Sequence, residues 1–269
     1  MLDVVLLCGQ SNQAGRGGVK DVRTRGADVH AAAHLTPRAA QRVWDGVVPA
    51  ACAPAPGVLC LRPDGEAWEQ AQEPLHRDID ALGKPCGVGP GLPFAAALLH
   101  ARPGRPPLGL VPCAVGGSAL REWELPDGEL GRRAVARARA ALAADGGDAR
   151  LLCCLFYQGE TDAAEAADAA TWGARFARWT AALREELRAP ELPVGVVAVT
   201  ATAAACPHLE AVRAAQLRTP AAVPRSFVVD AHGLELQADG LHLTADAQVA
   251  LGEALARAFT EFEASSLLL

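Results

Sequence analysis

Five short apolar runs, Asp3–Cys8, Leu108–Ala114, Leu151–Tyr157, Val194–Thr200 and Ser226–Asp230, constrain this chain more than any other feature. A run of about four to eight mostly apolar residues bounded by Gly and polar residues reads as a strand covered on both faces. Helical patterns separate most of these runs. Pro93–Arg102 predicts a short helix, and Leu130–Ala144 an Ala/Arg-rich amphipathic one. Ala163–Arg188 predicts a longer helix, with Trp172, Phe176, Trp179 and Leu183 at spacings of three and four; His208–Leu217 and Ala245–Glu263 predict two more. Strands alternating with helices imply right-handed crossovers, hence a three-layer α/β/α sandwich around a parallel sheet of roughly five strands. Between Val19 and Leu92 the pattern fails. This excursion is rich in Gly, Pro and polar residues and too long for an ordinary connection, which suits a lid or binding loop.

The chain of 269 residues, 51% of them hydrophobic, is long enough to bury a full core and is expected to form one domain over residues 1–269. No stretch reaches the roughly 18–20 apolar residues of a membrane helix. The first strand begins at once, without the basic and apolar regions of a secretory signal, which sets an expectation of a cytoplasmic protein. A net charge of −6 with scattered Arg argues against a nucleic-acid or anionic-membrane partner. Of the eight cysteines, Cys8, Cys113, Cys153 and Cys154 fall in strand-like runs, where a free thiol packs as a small hydrophobe. Cys52, Cys60 and Cys86 lie in the excursion, and reduced thiols are expected throughout. No CxxC pair or trusted His spacing points to a metal, although His30 and His34 share a potential helix face.

Polar residues collect where the strands end. Val4–Cys8 runs into Gly9-Gln10-Ser11-Asn12, which presents a serine beside two carboxamides, and Asn12 is the only asparagine in the chain. Ala114-Val115-Gly116-Gly117-Ser118 follows the second run, and its paired glycines let backbone N–H groups turn outward. Tyr157-Gln158-Gly159-Glu160-Thr161-Asp162 follows the third, and Asp239-Gly240-Leu241-His242 stands before the last helix. Singly, these read as an N-cap, a turn, a helix start and a turn before a helix capped by Thr244. Together they supply a nucleophile, a base, an orienting acid and oxyanion donors on one edge of one sheet.

The order GQSN, GG, QGE and DxxH resembles the four blocks of the SGNH (GDSL-type) hydrolases, whose fold is a flavodoxin-like α/β/α sandwich. More closely, CGQSNQAGRGGV (Cys8 to Val19), CGVGPGLPF (Cys86 to Phe94), VPCAVGGSALREW (Val111 to Trp123), Tyr157 to Asp162 and DGLHLTADAQ (Asp239 to Gln248) resemble the sialate O-acetylesterase-like carbohydrate esterases, particularly their plant branch. Carried over by position, the resemblance implies Ser11 as nucleophile, His242 as general base and Asp239 as the acid that orients it. A three-residue separation in a turn lets the Asp239 carboxylate reach the Nδ1–H of His242, leaving Nε2 to accept the serine proton. The implied oxyanion donors are the N–H groups of Ser11 and Gly117, with the Gln158 carboxamide third and Asn12 its competitor. Within the branch a methionine common after GQSN is here Gln13.

The expected activity is removal of O-acetyl groups from a carbohydrate through an acyl-enzyme, with no metal or organic cofactor. A lipase or thioesterase acting on longer acyl chains and a catalytically silent carbohydrate-binding module are the alternatives. Gly116, Glu160, Trp123 and Arg16 are further candidates for substrate contact: Trp123 by stacking on a sugar ring, Arg16 (or Arg121) by pairing with a sugar carboxylate. Trp44 and Trp68 are aromatics of the excursion that would meet ligand if exposed.

Overall fold

The computed structural model describes residues 1–22, 41–81, 83–144 and 146–266. In chain order, β1 (Leu2–Gly9) leads into a single helical turn, α1 (Ser11–Ala14), and then β2 (Val19–Val22), β3 (Gln41–Trp44), β4 (Val58–Leu61) and β5 (Trp68–Gln70). There follow α2 (Gly91–Ala101), β6 (Leu108–Pro112), α3 (Glu129–Ala144), β7 (Ala149–Tyr157), α4 (Ala166–Glu186) and β8 (Val194–Ala198). The chain closes with α5 (Leu209–Leu217), α6 (Thr219–Ala222), β9 (Ser226–Asp230) and α7 (Ala245–Ser266).

The main sheet has the order β5-β4-β6-β1-β7-β8-β9, and every neighbouring pair is parallel except β4 with β5. All eight residues of β1 are buried, as its continuous apolar run requires of a central strand. Helices α2 and α7 pack together against one face of the sheet, while α3, α4 and α5 cover the other. The α/β/α expectation holds, but among the described residues the sheet has seven strands instead of about five. The two extra strands come from the excursion, which builds sheet as well as loop. Buried Arg137 of α3 fastens this addition: its guanidinium donates to Pro112 O (2.7 Å) and Pro63 O (2.9 Å), joining the ends of β6 and β4. The same excursion provides the separate antiparallel ribbon of β2 and β3.

The predicted face of α4 is the one it buries. Trp172, Phe176, Trp179 and Leu183 point inward, and the Trp179 and Phe156 ring centroids are 4.4 Å apart. Burying a side chain of this size stabilises the fold by about 1.5–3 kcal/mol, so this seam fixes α4 firmly on β7. At α7, the Thr244 hydroxyl accepts the Ala247 N–H at 3.3 Å and Asp246 lies in the first turn, the expected cap. All eight cysteines are buried and unpaired. Burial pushes the thiols of Cys52, Cys60 and Cys86 up to about 12, which keeps them protonated and poor nucleophiles. Among the described residues no helix is long and apolar enough to cross a membrane.

Candidate active site

At β1 the winding reverses, with β6 on one side and β7 on the other, and the carboxyl ends of these three strands form one rim of a cavity of about 840 Å³. Gly9 makes the exit from β1 possible. Its φ is +128°, and a Cβ there would lie 2.1 Å from the Tyr157 carbonyl oxygen, so only glycine lets the chain bend here. The next residue donates its N–H to that same carbonyl at 2.8 Å, and α1 then begins with Ser11 at the cavity floor.

Ser11 Oγ lies 2.9 Å from His242 Nε2, and His242 Nδ1 lies 2.6 Å from Asp239 Oδ2. The other carboxylate oxygen of Asp239 accepts the backbone N–H groups of Leu241 and His242, both at 3.0 Å. Burial acts to raise the Asp239 carboxyl, but the bonds from the His242 ring and these two N–H groups outweigh it and hold the group well below the usual carboxylate range. The turn therefore carries a fixed negative charge beside the imidazole, which favours the tautomer with the proton on Nδ1.

Neither carboxamide expected at the oxyanion is available to the cavity. Gln158 is fully buried: its Nε2 donates to Asp162 and to Ser118 O (3.1 Å), and its Oε1 accepts the indole N–H of Trp172 at 3.0 Å. Gln158 thus ties β7 to α4 and to the glycine loop, because its longer side chain reaches past the cavity into the core. Asn12, also fully buried, straddles the histidine: Nδ2 donates to Leu241 O (3.1 Å) and Oδ1 accepts the Leu243 N–H (3.0 Å). Its Nδ2 also reaches Glu160 Oε1 at 2.8 Å, and Gln248 supports it from α7.

The carboxamide that borders the cavity belongs to Gln10. Its Oε1 accepts the N–H groups of Gly159 and Thr161 and the Gln158 amide, each at 3.3 Å, which fixes which end is oxygen. Its Nε2 has no hydrogen bond to a described residue. The Ser11 and Gly117 N–H groups are likewise unengaged among the described residues. Gly117 has φ +75° and sits in a loop held from both sides: the Gly116 N–H donates to Asp80 Oδ1 (2.6 Å), and Lys84 Nζ donates to Gly116 O (2.5 Å).

The remaining candidates divide. Gly116 and Glu160 line the cavity; burial raises the Glu160 carboxyl, opposed by its bond from Asn12, and its Oε2 is without a partner among the described residues. Arg16 also lines the cavity but is buried and ion-paired with Asp80, so it braces the loop and is not free to clamp a carboxylate. Trp123 is fully buried against Phe156 and Trp179 with its N–H on Ser118, which removes it as a sugar-stacking residue. Trp44 is half-buried on β3, Trp68 packs over Gly109, and Arg121 pairs with Asp168 on the surface. Gln13 is buried in α1 with neither amide atom partnered among the described residues, so the polar side chain does sit in a packed site. His30 and His34 lie outside the described residues.

Gln10, Lys84, Asp80 and Arg42 were not singled out by sequence reasoning. Gln10 stood beside Ser11 without a role, and Lys84 is one of only two lysines in the chain; nothing local marked the other two.

A family model described as carbohydrate esterase, sialic acid-specific acetylesterase matches residues 1–261. The chain belongs to this family. As a member, the esterase is a carboxylic-ester hydrolase of the carbohydrate acetylesterase class. It is 41% identical over 258 residues to a probable carbohydrate esterase of Arabidopsis thaliana, covering 95% of this chain and 89% of that one. A 1.6 Å X-ray structure of an Arabidopsis thaliana protein superposes with a TM-score of 0.84 at 38% identity, covering 96% of the esterase and 98% of that chain. NanS shares the fold, with a TM-score of 0.69 at 18% identity over 98% of both chains.

Proposed function

We propose that this carbohydrate esterase removes O-acetyl groups from sugars by nucleophilic attack from Ser11, with His242 as base and Asp239 as its orienting acid. One observation carries the reading: an unbroken hydrogen-bond chain from Ser11 through His242 to Asp239 opens onto a cavity large enough for a sugar ring. Ser11 Oγ attacks the acetyl carbonyl carbon as its proton passes to His242 Nε2. The oxyanion forms against the N–H groups of Ser11 and Gly117 and the Nε2 of Gln10, which replaces Gln158 and Asn12 as the side-chain donor. Collapse breaks the bond to the sugar oxygen, which takes the proton from Nε2 and leaves an acetyl group on Ser11. Water, deprotonated by the same histidine, then releases acetate.

Asn12 supports the reading from a second direction, since it is bonded to the residues on both sides of His242 and holds the base over the serine. Treating the purified protein with a fluorophosphonate tests the assignment. Stoichiometric labelling that maps to Ser11 and disappears in His242→Ala is expected; labelling of another residue would overturn it.

A further inference from the structure

The acid of the Asp239–His242 pair also has a cationic neighbour. Arg42, on β3 of the separate ribbon, donates from Nη2 to Asp239 Oδ2 at 2.9 Å, and this is the oxygen that faces His242 Nδ1. The Arg42 side chain is 33% exposed and borders the cavity, and its Nε lies 3.2 Å from Asp21 Oδ1 on β2. A ribbon that takes no part in the main sheet thus ends against the acid beside the base.

We propose that Arg42 is a positioning residue that holds Asp239 Oδ2 toward His242 and, by sharing that oxygen, limits how strongly the acid favours the protonated imidazole. The inference rests on the assignment of His242 as base. Two cations competing for one carboxylate oxygen oppose each other: the guanidinium stabilises the anion of Asp239, and its positive charge disfavours a second positive charge on the neighbouring ring. A base must be neutral to accept the serine proton, so a cation here keeps it competent at lower pH. Other titratable groups around the pair among the described residues are Asp21, behind Arg42, and Glu160, from the loop after β7. Arg16 and Lys84 line the same cavity, the first ion-paired with Asp80 and the second bonded to Gly116 O. Arg42 is the cation bonded to the carboxylate oxygen that faces the imidazole.

The test compares pH profiles of kcat/KM on an uncharged acetyl ester. In Arg42→Met the midpoint of the acid limb is expected to move up by about half a pH unit. Arg42→Lys, which keeps the charge, should recover at least half of that shift, and Asp21→Asn should give no upward movement. Because Arg42 is partly exposed, high salt should shrink the difference between wild type and Arg42→Met. A purely structural Arg42 would lower activity evenly at every pH. An unmoved midpoint in Arg42→Met, in protein with a wild-type melting curve, would overturn the proposal while leaving the nucleophile and base in place. Wild-type turnover in His242→Ala would instead overturn the reading on which it rests.

Discussion

His242 Nε2 sits 2.9 Å from Ser11 Oγ although 231 positions separate the two residues. Asn12 is what makes this long-range distance repeatable, because it is chained to Ser11 and bonded to the backbone on either side of His242. Replacing Asn12 by alanine removes both bonds, leaving the buried Leu243 N–H without its partner at a cost of about 1–3 kcal/mol and freeing the half-buried Leu241 carbonyl at less. Asn12→Ala is expected to lose activity and melting temperature together, as read by kinetics and thermal denaturation of the same preparation.

Gln10 and Gln158 should separate cleanly. The Nε2 donor meets only the oxyanion and acts in the transition state, so Gln10→Ala should lower kcat by about 10²-fold with KM little changed, alongside the stability lost when the Gly159 and Thr161 N–H groups lose their acceptor. Gln158→Ala strands the indole N–H of Trp172 inside the core and takes one of its donors from Asp162, which keeps the Leu120 N–H, so its main effect should be a lower melting temperature. A selective kcat loss in Gln158→Ala, with Gln10→Ala near wild type, would reverse the two roles.

Trp123 offers a contrast between packing and recognition. Trp123→Phe should lower the melting temperature, because the ring fills a site between Phe156 and Trp179 and its N–H is bonded to Ser118. KM for an acetylated sugar should stay within about twofold of wild type, since the side chain has no exposed surface to offer a ligand. A tenfold rise in KM without loss of stability would return Trp123 to the substrate site.

Glu73 predicts how stability depends on pH. Burial raises its carboxyl to about 7, opposed by bonds from the Leu75 and Gly89 N–H groups. In the unfolded chain a glutamate titrates near pH 4.3, so between about pH 4 and 7 the folded state holds the extra proton. Stability from this group is therefore present below the unfolded value and lost as pH rises through about 7. Glu73→Gln should remove that loss, which melting temperatures measured from pH 4 to 8 would reveal as a flatter curve than wild type.

The sequence announced the sheet wherever a strand is buried on both faces, because such strands are continuous apolar runs, as in Leu151–Tyr157. Val58–Leu61 and Trp68–Gln70 escaped notice since they are short and set among Gly and Pro, and the second forms the sheet's edge. At the candidate site, the meeting of Ser11, Asp239 and His242 was legible because their residue types and block order are distinctive. The carboxamides misled: which of Gln10, Asn12 and Gln158 borders the cavity depends on side-chain reach and on partners far along the chain. The contact between Arg42 and Asp239 spans 197 positions and leaves no local mark.

Acetate release from an O-acetylated sugar by purified Ser11→Ala tests the central claim most directly. Loss of about 10⁴-fold or more in kcat, with a wild-type melting curve, is the predicted result. Turnover within tenfold of wild type would contradict it, because Ser11 could then not be the atom that carries the acetyl group.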